Sequence, residues 1–116
     1  MARHKPVSSF DLVVASGASV SNIVDLQGYQ AVRIITPAAL TATYLVFLQG
    51  EADDTMVLSY DKAGALIVPP VLASRSLELG IDNFRSCRYF QIRTCSTNTG
   101  TAGNEAAART FKLIVD

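Results

Sequence analysis

Residues 88–95 read Arg-Tyr-Phe-Gln-Ile-Arg-Thr-Cys, and residues 109–115 read Arg-Thr-Phe-Lys-Leu-Ile-Val. Both stretches alternate apolar with polar residues at period two. Phe90 and Ile92 fall on one parity, Gln91 and Arg93 on the other. Phe111, Leu113 and Val115 repeat the pattern against Thr110 and Lys112. Successive side chains of a strand point to opposite faces, so this pattern marks two half-buried antiparallel strands. The linker at 96–108 is built of Ser, Thr, Asn, Gly and Ala with one Glu. The two strands are therefore expected to form a hairpin with a large flexible tip.

The same pattern extends toward the amino end. Phe10, Leu12 and Val14 share a parity within 8–15, and a turn follows at Ser16-Gly17-Ala18-Ser19. Further strands are expected at 21–26, 31–36, 43–49, 55–60, 65–68 and 76–79. Turn residues such as Gln27-Gly28-Tyr29, Asp61-Lys62-Ala63-Gly64 and Pro69-Pro70 separate them. The segment 43–49 is apolar on both parities, with Leu45 and Phe47 on one and Tyr44, Val46 and Leu48 on the other. Such a strand is buried on both faces, or its outer face is covered by a partner. The piece 104–109 is helix-prone but too short to stand alone, so it reads as a turn. Eight or nine short strands, with turn signals about every ten residues, predict an all-β fold. The expected architecture is a single antiparallel β-sandwich or jelly-roll-like domain of about eight short strands over 10–116. Residues 1–9 form an amino-terminal arm with no core pattern.

A length of 116 residues makes one domain the default. Charged residues are only 17 %, against about 25 % in ordinary domains, which favours a domain packed against something else. Ten basic residues balance ten acidic ones, so general nucleic-acid binding is not expected. No apolar stretch approaches the roughly 20 residues of a membrane helix, and the run at 12–15 is too short for a signal-peptide core. Synthesis in a cytoplasm is expected. Cys87 and Cys95 would lie about 26 Å apart on one strand at ~3.3 Å per residue, well beyond the ~7 Å Cα separation a disulfide tolerates. They are expected to be free, structural thiols.

Little in the chain suggests catalysis. His4 is the sole histidine and sits in the arm, where a general base lacks a fixed partner. No nucleophile elbow, Walker loop, His-Glu-x-x-His or Cys-x-x-Cys motif occurs. Glu51, Asp53 and Asp54 crowd one turn, but their spacing fits no calcium loop, and a solvated turn explains them. No metal, cofactor or enzymatic activity is expected. Arg75, Arg85, Arg88 and Arg93 cluster in sequence and could anchor a protein interface through bidentate contacts. Tyr29, Tyr44, Tyr60 and Tyr89 could line a sugar platform or pack across strands, and the absence of Trp weakens the carbohydrate reading.

Several stretches resemble small β-sandwich structural proteins of tailed bacteriophages, including capsid cement (decoration) proteins. They are Ala31-Val-Arg-Ile-Ile-Thr-Pro37, Leu45-Val-Phe-Leu-Gln-Gly50, Ser76-Leu-Glu-Leu79, Tyr89-Phe-Gln-Ile-Arg-Thr94 and Arg109-Thr-Phe-Lys-Leu-Ile-Val115, with the Ser/Thr/Gly-rich tip between the last two. Tyr44 and Asp53-Asp54 depart from the residues common in such sequences. The resemblance implies a non-enzymatic virion protein, without cofactor, on the capsid exterior. Its expected partner is the major capsid protein of a phage, and it would often assemble as a homotrimer, with no nucleic-acid or membrane partner. The candidate subunit or capsid interface comprises Arg3, Lys5, Tyr44, Leu48, Arg85, Arg88 and Arg93. A glycan-binding module, or a head–tail or tail accessory protein, is the competing class on the same fold.

Overall fold

The computed structural model describes residues 8–80, 83–84 and 87–116. Arg3, His4, Lys5 and Arg85 lie outside the described residues. Eight strands occur: β1 (Ser8–Val14), β2 (Val24–Asp25), β3 (Ala31–Ile35), β4 (Tyr44–Gly50), β5 (Val57–Leu58), β6 (Ser76–Glu78), β7 (Tyr89–Cys95) and β8 (Arg109–Val115). No α-helix occurs among the described residues.

The strands form two four-stranded antiparallel sheets, ordered β1-β8-β3-β6 and β2-β7-β4-β5. The pairing has a simple logic. β1 pairs with β8, β2 with β7, β3 with β6 and β4 with β5, so the chain is one long hairpin of four nested pairs. Rolling that hairpin up adds the pairs β3·β8 and β4·β7. The result is a jelly roll, the expected fold class. Its connections alternate between two ends. The β2–β3, β4–β5 and β6–β7 connections gather at one end, called here the Arg88 end. The other four connections gather at the Glu105 end.

Alternation in the sequence becomes burial in the sandwich. Phe90 and Ile92 of β7, Leu45 and Phe47 of β4, and Leu12, Ile34, Phe111 and Leu113 of the other sheet are almost wholly buried in one core. Phe47, Phe84 and Phe90 meet at centroid distances of 5.3–5.7 Å, and two of the three contacts are edge-to-face, an arrangement favoured by the ring quadrupoles. β3 breaks the alternation because a bulge between Ala31 and Arg33 inserts one extra residue. Ala31 and Ile34, three apart, can then both face inward. The outer face of this sheet carries Asp11 opposite Lys112 and Arg33 opposite Glu78, unlike charges on neighbouring strands.

Two expectations change. β7 and β8 do not form a hairpin, for they belong to different sheets. Each instead pairs with strands remote in sequence, because burying both apolar faces against each other requires them to stack rather than lie side by side. The 65–68 strand is also absent, and only an isolated bridge joins Tyr60 to Leu66. There the chain makes a tight turn on Asp61, whose Oδ1 accepts from the N–H groups of Ala63 and Ala65, both at 2.9 Å, and the prolines after Val68 prevent a ladder from continuing.

Candidate functional site

At the Glu105 end the 96–108 connection is laid down on the domain. Ser96 N–H donates to the Thr101 carbonyl at 3.0 Å, and Gly103 N–H to that of Thr94 at 2.9 Å. Glu105 is the anchor. Its carboxylate accepts from the backbone N–H groups of Thr41 and Ala42 at 2.9 and 2.8 Å and from Arg109 Nε at 3.0 Å. Its backbone exchanges bonds with the β1–β2 turn, through Gly17 N–H at 2.8 Å and the Ala18 carbonyl at 2.9 Å. One residue, through its side chain and its backbone, thus ties three connections together. Glu105 and Arg109 stand four residues apart, a spacing visible in the sequence.

The outer face of the β2-β7-β4-β5 sheet holds Tyr44, Leu48 and Arg93. Tyr44 is half-buried and bridges to Pro70. Arg93 is half-buried in register between Val46 and Val20. Val46 is fully buried and Leu48 is 7 % exposed. The cover of Val46 includes the chain itself. A Cβ built on Gly100 would meet Leu66 Cδ2 at 3.1 Å and Val46 Cγ1 at 3.5 Å, and the +85° φ there suits only glycine without strain. Of the alternatives for the two-sided strand, burial by the chain's own loops accounts for Val46.

Arg88 sits apart, at the rim of the Arg88 end. Its guanidinium lies 5.1 Å from the Tyr89 ring centroid, and Nη2 is 3.7 Å from Asp25 Oδ2. A cleft of about 630 Å³ opens beside it, lined by Asp25, Gln27, Gly28, Tyr29, Gln30, Cys87 and Arg88. A second cleft, of about 400 Å³, lies across Cys87 and Arg88 toward Glu51, Thr55 and Val57. The first cleft is shaped by a tight turn: Tyr29 N–H donates to the Leu26 carbonyl at 2.8 Å, with Gln27 and Gly28 both in the left-handed region. Cys87 is half-buried, and desolvation pushes its thiol up to about 11 from 9.0. Burial also raises the Cys95 thiol, opposed by the nearby Arg93 charge. Both cysteines are free.

A third feature is the flank where β5 and β6 form the sheet edges. Among the described residues the three most exposed large apolar side chains, Leu72 (65 %), Val57 (64 %) and Tyr60 (55 %), belong to β5 or to the connection after it. Beside Leu72 an apolar hollow of about 280 Å³ is lined by Pro70, Val71 and Leu77 among others.

Of the candidate interface residues, the fold places Tyr44, Leu48 and Arg93 on one sheet face and Arg88 at the end of that sheet. Sequence reasoning does not reach the cleft or the apolar flank. Gln27-Gly28 signals a turn, but only the fold sets that turn beside Arg88. Among the described residues no three His, Cys, Asp or Glu side chains lie close enough to hold a metal ion, and no helix is long and apolar enough to cross a membrane. The chain matches no protein-family model and no curated protein sequence.

Proposed function

We propose that this chain is a non-enzymatic structural protein of a tailed-phage virion, a capsid cement protein that binds the outer shell and bridges neighbouring capsid subunits, as a homotrimer. The observation that carries the reading is the β5–β6 flank. Leu72 and Val57 are exposed at its two ends and Tyr60 between them, beside two short sheet edges, and exposed apolar groups along an edge of a small domain suit a protein interface. The jelly roll recurs in viral capsid proteins and in lectins, which supports the reading by analogy of fold alone. The low charge fraction and the resemblance of stretches spread over most of residues 30–115 to phage cement proteins point the same way.

Static light scattering tests the reading. Three chains of 12.4 kDa give 37.2 kDa, and a species of that mass is expected, with binding to shells assembled from the cognate major capsid protein. A monomer at all concentrations that also leaves such shells bare refutes it. The cleft at the Arg88 end favours the alternative of a glycan-binding module.

A further inference from the structure

We propose that the cleft at the Arg88 end is a binding site for a neutral saccharide, gripped through adjacent hydroxyls by Asp25 and Arg88 and along one sugar face by Tyr29. The inference deepens the glycan-binding alternative by naming its site and ligand class, and it stands apart from the cement reading.

The size comes first. A volume of about 630 Å³ falls within the ~300–1,000 Å³ typical of small-ligand sites. The charges then restrict the ligand. The described lining holds one carboxylate, Asp25, and one guanidinium, Arg88. A phosphate or uronate would be drawn to Arg88 and repelled by Asp25, and an ammonium group would meet the reverse. A hydroxyl suits both, since it donates to an acceptor-only carboxylate and accepts from a donor-only guanidinium. Two hydroxyls on neighbouring ring carbons can serve the two groups at once.

The geometry leaves room for this. Arg88 Nη2 and Asp25 Oδ2 are 3.7 Å apart, longer than the ~2.7–2.9 Å of a tight charge-assisted bond. Neither group is saturated by the other, and the Arg88 side chain is 62 % exposed. Both are nevertheless positioned. Asp25 Oδ1 accepts from Gln27 N–H at 3.0 Å, and Arg88 lies over the Tyr89 ring. The backbone locks the two sides together, with Leu26 N–H donating to the Arg88 carbonyl at 2.7 Å.

Tyr29 supplies the apolar wall. It lines the cleft and is 37 % exposed, and an aromatic ring there offers a surface for the C–H face of a pyranose, with a polar tip left to water. Its placement requires the turn at Gln27 and Gly28, with φ of +54° and +88°. A non-glycine residue in that region costs roughly 1 kcal/mol or more. The exposed Gln27 amide adds a donor and an acceptor at the rim.

The test is a glycan array of neutral glucans, mannans, galactans, rhamnans and chito-oligosaccharides, printed beside oligogalacturonates and sialylated glycans, followed by calorimetric titration of the best spot. Saturable binding to a neutral glycan is expected, with a Kd near the millimolar range. Tyr29→Ala and Arg88→Ala should each raise that Kd about tenfold or more, while Tyr29→Phe retains binding. Equal melting temperatures for all three variants exclude misfolding as the cause. Binding to no neutral glycan, preference for the acidic ones, or affinity that survives both alanine variants overturns the proposal.

Discussion

The Arg109 Nε stands 3.0 Å from the Glu105 carboxylate, and that carboxylate is buried while receiving two backbone N–H groups from another connection. The ion pair is thus a structural rivet at the Glu105 end. Breaking a buried pair by removing one member costs about 3–5 kcal/mol. Glu105→Ala is expected to lose stability in that range, because Arg109 Nε and the N–H groups of Thr41 and Ala42 all lose their acceptor. Glu105→Gln keeps one acceptor oxygen and should lose about half as much. Urea midpoints of the two variants check the order; equal, negligible shifts would show that the rivet carries no stability.

Leu48 and Leu72 should behave oppositely. Leu48 is 7 % exposed and paired in register with Gln91 and Leu58, so Leu48→Asp buries a charge and should prevent folding of the monomer itself. Leu72 is 65 % exposed, and Leu72→Lys should leave the melting temperature nearly unchanged, within about 0.5 kcal/mol of stability. Thermal melts of both variants decide. A folded Leu48→Asp monomer would move Leu48 from core to interface.

On the proposed function, the double variant Val57→Lys, Leu72→Lys should dissociate the trimer. Like charges at the β5–β6 flank would oppose a shared apolar contact without touching the core. Light scattering across a concentration series reads the result. A trimer that persists would place the subunit contact elsewhere.

The Cys87 thiol titrates near 11 instead of 9.0 because it is partly buried. Between about pH 9 and pH 11 the unfolded chain has released this proton and the folded chain has not. The unfolded state binds fewer protons there, so stability falls as pH rises across that window. Denaturant midpoints measured from pH 8 to pH 11 should decline more steeply in the native chain than in Cys87→Ala. At pH 8 the folded thiolate is about a hundredfold scarcer than in a free cysteine, so alkylation of Cys87 should be slow until the chain unfolds.

Much of this molecule is legible in its sequence, and the limits have a clear physical origin. Period-two alternation reports which face a side chain takes, so the inward placement of Phe90, Ile92, Phe111 and Leu113 can be read directly. Alternation carries no information on which strand lies alongside. The expected β7–β8 hairpin fails for that reason, since the partners β4 and β1 are chosen by packing of the whole sandwich. The polar composition of 96–108 suggests a free loop, yet Glu105 is buried within it. Only the i,i+4 partner Arg109 hinted at that, and the two N–H groups that complete the site come from residues 41 and 42. The cleft is harder still, because Asp25, Tyr29 and Arg88 converge through the meeting of two connections separated by some sixty positions.

The nesting of the strands also governs when the fold can form. β8 lies between β1 and β3, and Ser8 pairs with Val115. Until the last strand has been synthesised, β1 has no neighbour in its sheet and that half of the core stays split. Folding of this domain therefore waits until β8 has emerged, instead of proceeding strand by strand. Closing so wide a loop is entropically slow, and the growing chain carries unpaired, apolar strands throughout that interval, the state in which a β domain is most exposed to misassembly.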